Sequence, residues 1–342
     1  MLVNILFSRV CLLLDEIFFP GYRKTTIDKA AFIIGIPRSG TTFLFHSLAR
    51  DIDNFHSFKL WELVFAPSIL QKKILGILYL LDKKLGGHMA RKIKKLDRII
   101  FGDFRGIHNI GINKPEEDEA LFIYNFSSAY FAYIFPEVKF MDKYLNFDKQ
   151  LPENVKKRNV KFYYRLVQRH KYCFDPENNK YFLSKNPAFV SKISTVANQF
   201  SRAKFIIPNR SPLETIPSTI SLNAHIYKAF CHMPTEYPLV EKTRDQVIKW
   251  HDHLKVVIEN DLSNRALIID FKNIVNKPGE TILNCYNYLN ITADRKAIDE
   301  KVKQSGAEKY VSPHHYPKTL GLEDDSIKEK IIDLTHDYSL NK

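Results

Sequence analysis

Cysteine is scarce in this chain and never clustered. Cys11, Cys173, Cys231 and Cys285 stand singly among 342 residues, with no C-x-x-C and no zinc-finger spacing. This argues against a disulfide framework and structural zinc, and makes a reducing, cytoplasmic compartment the default. Neither His251 and His253 nor His314 and His315 have the i, i+4 spacing that sets two ligands on one helix face. No metal is expected. Long apolar runs are missing as well. The first stretch, MLVNILFSRVCLLLDEIFFPGYRK, is cut by Arg9, Asp15 and Glu16 into pieces too short to span a bilayer or to serve as a signal peptide. It reads as an amphipathic helix within residues 1–30, ending near Pro20-Gly21 and packed on the domain surface; lying on a membrane is its second reading. There is no internal repeat and no long Pro/Gly/Ser linker. Acidic residues are outnumbered, 38 against 51 basic, which leaves a net charge of +13 and an isoelectric point near 9.3. That balance suggests an anionic partner and cannot choose among nucleic acid, an acidic membrane and a phosphorylated small molecule.

What is present is a rhythm of short aliphatic runs followed by helical spacing. AAFIIGI (30–36) reads as a buried parallel strand, and TTFLFHSLARD after it as a helix. The scheme recurs in KYFLSKNPAFVSKISTVANQF (180–200), AKFIIPNRSPLETIPSTISL (203–222) and RALIIDFKNIVNKPGETILNCYNYLN (265–290), with helices opening near Pro212 and Pro278. This predicts an α/β fold: a single domain with a central parallel sheet flanked by helices. Ligands of such sheets sit at the carboxyl ends of the strands, so the loops after the strands at 31–36, 181–184 and 204–208 should share one crevice. Residues 60–175 break the rhythm and read as a mainly helical insertion covering the acceptor site.

The turn between the first strand and helix, GIPRSGTT, has Gly35, Gly40 and Thr42 at the spacing of a phosphate-binding loop, but Thr41 occupies the lysine position. Backbone N–H groups and a helix N-terminus still suit an anion. Arg38 adds a charge, and Ser39, Thr41 and Thr42 add hydroxyls. The missing lysine removes the group that meets β- and γ-phosphates, and Asp270 is the nearest candidate for an acid that helps hold Mg²⁺. A transferred sulfonyl group carries less charge than a phosphoryl group and can do without metal neutralisation. The loop therefore suits a phosphosulfate better than a nucleoside triphosphate.

PRSGTT resembles the 5′-phosphosulfate loop (Pro37, Arg38, Ser39, Gly40, Thr41, Thr42) of the sulfotransferases that use 3′-phosphoadenosine-5′-phosphosulfate (PAPS). In KFIIPNRSPLETIPSTISL, Arg210 and Ser218 stand eight residues apart after a buried strand, similar to the Arg and Ser with which that family binds the 3′-phosphate. Arg supplies a planar fork for phosphate and a helical Ser can reach the same oxygens. FLSKNPAFVSKI resembles the segment of the bacterial branch that places a lysine, here Lys185, beside the transferred group. YVSPHHYPKTLGL resembles its C-terminal segment, whose tyrosine corresponds to Tyr310. The resemblance runs discontinuously over residues 31–322, with residues 323–342 as a helical tail. It implies PAPS as sulfonyl donor, no metal, in-line transfer to a hydroxyl and release of 3′,5′-ADP, with Arg38 and Lys185 among the catalytic groups.

The acceptor hydroxyl must lose a proton, so a base has to lie within hydrogen-bond reach. Glu62, in FHSFKLWELVFAPSI, matches the Glu that tyrosylprotein and several bacterial sulfotransferases carry before a Pro. Burial among Trp61, Leu63, Val64 and Phe65 would raise its pKa; the competing reading is an acid opening a helix. His46, one turn past Thr42, is the competing base and reads better as a core histidine; His108 is a weaker candidate. Glu116, Glu117, Asp118 and Glu119 follow Pro115 and read foremost as an ordinary helix start, with a lining of the acceptor pocket as the second reading.

Within the insertion, residues 69–102 combine aliphatics at helical spacing with nine Lys and Arg against Asp82 and Asp97. That pattern fits helices lying on anionic membranes, and equally a helical cover with a solvated basic face. The acceptor stays open among a lipid or other hydrophobic alcohol, a phenol and a glycan. Peripheral membrane contact and a homodimer stay open as well, and nucleic acid is not expected. The rival readings are a kinase or NTPase with a degenerate loop, and a basic membrane- or nucleic-acid-binding protein without catalysis.

Overall fold

A computed structural model describes residues 2–101, 110–135, 138–230, 237–262 and 264–304. Five strands form one sheet: β1 (Ala30–Ile33), β2 (Phe55–His56), β3 (Tyr181–Lys185), β4 (Lys204–Asn209) and β5 (Ala266–Asp270). Their order is β2-β3-β1-β4-β5, and every pairing is parallel. Four of the strands are the aliphatic runs read from the sequence. β2 was not anticipated, because two residues carry no periodicity.

Side chains alternate between two cores, as the pleat requires. Ala30, Phe32 and Ile34 belong to one, whereas Ala31 and Ile33 belong to the other. Phe32 is fully buried, with ring centroids 4.9 Å from Phe200, 5.7 Å from Phe205 and 6.2 Å from Phe182. Deleting such a ring costs about 3–5 kcal/mol. Burial on both faces is why these strands read as continuous apolar runs.

The helices used below are α1 (Leu2–Phe18), α2 (Thr41–Ala49), α3 (Leu60–Phe65), α4 (Ile69–Lys84), α5 (His88–Phe101), α6 (Glu153–Phe174), α7 (Pro212–Phe230) and α8 (Val240–Asn260). α3 to α6 occupy the long connection between β2 and β3, where a helical insertion was expected. α1 stops before Pro20, as read. It buries Ile5, Ser8, Cys11, Leu12 and Asp15. Asp15 accepts from the Ile69 and Leu70 amides at 2.8 and 2.9 Å and from Arg169 Nε at 2.9 Å. The acid that interrupts the apolar run therefore clasps α1 to α4 and α6. Asp270 proves to be a helix cap: its carboxylate accepts from the Lys272 amide at 2.8 Å. Among the described residues no helix is long and apolar enough to cross a membrane.

Candidate active site

β1 lies between β3 and β4, so the connection from β3 to β4 passes over it. The loops after these three strands leave the same edge of the sheet, at the switch point where α/β sheets bind ligands. The three loops thus lie side by side at one edge of the sheet.

The loop after β1 needs its glycines for steric reasons. A Cβ on Gly35 would sit 2.8 Å from Ser39 Oγ and 3.1 Å from the Pro208 carbonyl oxygen. Gly40 has φ +96°, and a Cβ there would stand 3.0 Å from Ile274 Cδ1. Arg38 also has a positive φ, 70°, a conformation that costs a non-glycine residue about 1–2 kcal/mol. Strain of this kind persists where the surrounding structure fixes a functional side chain. Ser39 is buried, and its hydroxyl oxygen has no hydrogen-bond partner among the described residues. An unsatisfied buried hydroxyl costs about 1–3 kcal/mol. Thr41 and Thr42 open α2, whose first amides have no partner inside the helix. An anionic oxygen seated in this loop would satisfy both deficits, so the residues present fit a phosphosulfate.

β4 brings a second set to the same place. Arg210 Nη1 donates to the Arg38 carbonyl at 2.7 Å, and its guanidinium lies 4.0 Å from the centre of the Phe271 ring. On α7, Ser218 Oγ accepts from Arg38 Nε at 3.0 Å, and Thr219 Oγ1 donates to the Pro37 carbonyl at 3.4 Å. The structure thus brings Pro37, Arg38, Ser39, Gly40, Thr41 and Thr42 together with Arg210 and Ser218.

Lys185 closes β3, paired in register with Ile33. It is 1% exposed, and its Nζ lies 2.6 Å from Glu117 Oε1. The other oxygen of Glu117 accepts from Tyr130 Oη at 2.8 Å. Burial, with Glu117 beside it, pushes the Tyr130 hydroxyl well above its ordinary pKa, so it stays a donor. The rest of the acidic run points elsewhere. Glu119 is fully buried and meets Lys192 Nζ at 2.9 Å through both oxygens. Asp118 accepts from Tyr163 Oη, and desolvation pushes its carboxyl up to about 7. Asp118 and Glu119 begin a short 3-10 helix, Asp118–Asn125. This is the helix start that the sequence favoured, with both acids buried. Glu117 keeps a quarter of its side chain exposed.

Glu62 sits in a different environment, 1% exposed on α3. His170 Nδ1 lies 2.8 Å and Lys72 Nζ 3.8 Å from Glu62 Oε1, and the Lys59 amide donates to the other oxygen at 3.0 Å. Burial alone would raise its pKa, as the sequence suggested, but His170 and Lys72 outweigh burial and the pKa is lowered. The expected upward shift is overturned. The segment carrying Glu62 supports the segment leading to Glu117: the amides of Leu60 and Trp61 donate to the carbonyls of Lys114 and Ile112, and the Glu116 amide donates to Phe58. His46 is half-buried on α2, its ring 5.6 Å from that of Phe45. Tyr310 and His108 lie outside the described residues, as does the tail at 323–342.

The Glu117–Lys185 pair is what sequence reasoning missed. The usable signal was Lys185 itself: a strand-terminal lysine inside an apolar stretch has to find a carboxylate when buried. Tyr130 gave no signal.

The fold is thus a parallel α/β sheet with a glycine-bounded loop after β1, Arg210 and Ser218 against that loop, and Lys185 at the end of the neighbouring strand. The chain belongs to the sulfotransferase family, whose model matches residues 30–295. Two solved bacterial sulfotransferases share its fold. STF9 from Mycobacterium avium has a TM-score of 0.73 at 13% identity, over 99% of this chain and 84% of that one. STF1 from Mycobacterium tuberculosis H37Rv has a TM-score of 0.69 at 15% identity, over 96% of this chain and 83% of that one. No curated protein matches the chain in sequence.

Proposed function

We propose that this chain moves the sulfonyl group of PAPS to a hydroxyl of its acceptor and releases 3′,5′-ADP. The observation that carries this reading is the junction of Arg38 with Ser218 and of Arg210 with the Arg38 carbonyl. The 5′-phosphosulfate and the 3′-phosphate hang from one ribose, so the groups that hold them must adjoin. In this reading Ser39, the amides opening α2 and Arg38 hold the 5′ end. Arg210 and Ser218 hold the 3′-phosphate.

Lys185 then lies where charge builds on the leaving oxygen as the S–O bond breaks. Glu117 is the base: it takes the proton of the acceptor hydroxyl while Tyr130 orients its other oxygen. Its quarter-exposed carboxylate and direct contact with Lys185 favour it over Glu62, which is enclosed by His170, Lys72 and Lys59. Glu62 acts through structure, by holding the segment on which Glu117 rides. The donor supplies an activated sulfonyl group, and nothing in this scheme calls for a metal.

The test is transfer of label from ³⁵S-PAPS, in EDTA, to a panel of phenols, lipid alcohols and glycans. The reading expects a labelled ester that Lys185→Ala fails to form. Phosphate transfer from Mg·ATP in place of sulfonyl transfer would overturn it.

A further inference from the structure

α4 and α5 form a hairpin that stands off the protein body. From Lys73 to Ile100 no side chain is buried, and α5 buries none anywhere along its length. Exposure in itself is ordinary for charged helices, but these are not only charged. On α4, Ile77, Leu78, Leu80 and Leu81 are each between 42% and 58% exposed. On α5, Met89, Ile93, Leu96 and Ile100 recur at i, i+4, i+7 and i+11, whereas Arg91, Lys94, Lys95 and Arg98 occupy the opposite side. All four apolar residues of α5 are more than 40% exposed. At the root of the hairpin, α1 adds a second apolar face, with Val3, Leu6, Phe7, Val10, Leu13 and Ile17 in solvent. The Asp15 clasp to the Ile69 and Leu70 amides makes the two faces adjoin.

Apolar area on this scale marks a surface that something covers, and charge indicates what. The hairpin carries two carboxylates, and both are engaged by backbone: Asp82 accepts from the Met89 and Ala90 amides, Asp97 from the Ile112 amide. Lys83, Lys84, Lys92, Lys94, Lys95 and Arg98 have no carboxylate partner among the described residues. A second copy would bring the same cations against these. An anionic lipid surface neutralises them while taking the apolar residues into its acyl boundary. The geometry also reaches the site, since Asp97 of α5 holds Ile112 of the segment that carries Glu117.

We propose that the α4–α5 hairpin and the outer face of α1 seat the protein on an anionic bilayer. Resting on the sulfonyl-transfer reading, the acceptor is then the hydroxyl of an amphiphile drawn from that surface. α1 lies on the surface and does not insert across it, because withdrawing it from the body would strip Asp15 from Arg169.

The experiment is co-sedimentation of the full chain with phosphatidylcholine vesicles, with and without phosphatidylglycerol, without any sulfonyl donor. The expected result is binding that requires phosphatidylglycerol and weakens with salt. Ile93→Glu with Leu96→Glu should reduce partitioning about tenfold or more, and so should Lys92→Glu, Lys94→Glu and Lys95→Glu combined. Because α5 has no buried residue, both variants should bind 3′,5′-ADP as the parent does, which confirms folding. Equal sedimentation of parent and variants, or none of the parent, would overturn the proposal. So would a parental dimer in light scattering that the same variants split while vesicles bind nothing. Vesicle binding without 3′,5′-ADP binding would retain the docking face and remove the transferase reading and its acceptor.

Discussion

Lys185 and Glu117 meet at 2.6 Å across 68 residues of chain, one at the end of β3 and the other just ahead of the short helix Asp118–Asn125 in the insertion. The contact joins the sheet, which carries the loop of Gly35 to Gly40, to the insertion. It sets an anionic and a cationic group side by side where the loops after β1, β3 and β4 converge.

Glu117→Gln keeps the shape and the Tyr130 hydrogen bond but removes the proton acceptor, and it leaves the buried Lys185 without its carboxylate, so its stability is measured beside its kinetics. The expected outcome is a kcat about 10²–10⁴-fold lower with donor affinity little changed. Steady-state kinetics with ³⁵S-PAPS and a saturating acceptor would measure it. Unchanged kcat would return the role of base to another residue.

Glu62→Gln should behave differently. It leaves His170 and Lys72 buried without their anion, and breaking a buried ion pair costs about 3–5 kcal/mol. Denaturant titration should show that loss. If Glu62→Gln instead abolishes turnover at full stability, Glu62 is the base and Glu117 is not.

Gly40→Ala places a side chain at φ +96° and 3.0 Å from Ile274 Cδ1. The cost is about 1–2 kcal/mol from the backbone conformation alone, with 3′,5′-ADP binding weakened as the loop shifts. Thermal melting and calorimetry together test this; a variant of parental stability and affinity would contradict the loop geometry.

Acid should destabilise the protein through its buried histidines. Burial holds His251 down at about 3, and burial also holds His56 well below the ordinary value. In the unfolded chain a histidine takes its proton near pH 6.5. Stability is therefore present above pH 6.5 and lost as pH falls from 6.5 towards the folded values, by about 1.4 kcal/mol per pH unit for each group. His251→Gln should flatten the decline between pH 6.5 and 4.5 in denaturant titrations. A slope unchanged from the parent would show that His251 does not contribute.

The fold was legible wherever strands are buried on both faces, because such strands must be continuously apolar; Ala30–Ile33 and Lys204–Asn209 are the clearest cases. β2 escaped because Phe55 and His56 are too few to make a pattern. The loop after β1 was legible because its Gly35, Gly40 and Thr42 spacing lies within eight residues of chain, although Pro208 and Ile274, which crowd the two glycines, come from elsewhere. Glu117 was not, since its role depends on Lys185, which only the packed sheet brings to it. For Glu62 the neighbours in sequence, Trp61 and Leu63, suggested desolvation and a raised pKa. The groups that decide the sign, His170 and Lys72, come from α6 and α4 and leave no local trace.

The most direct test of the account is calorimetric titration with 3′,5′-ADP in EDTA, with ATP as the comparison ligand. The account predicts metal-independent binding of 3′,5′-ADP, stronger than that of ATP, and its loss in Arg210→Ala. Absence of binding, or a preference for Mg·ATP, would contradict the assignment of Arg38, Arg210 and Ser218 to a PAPS site.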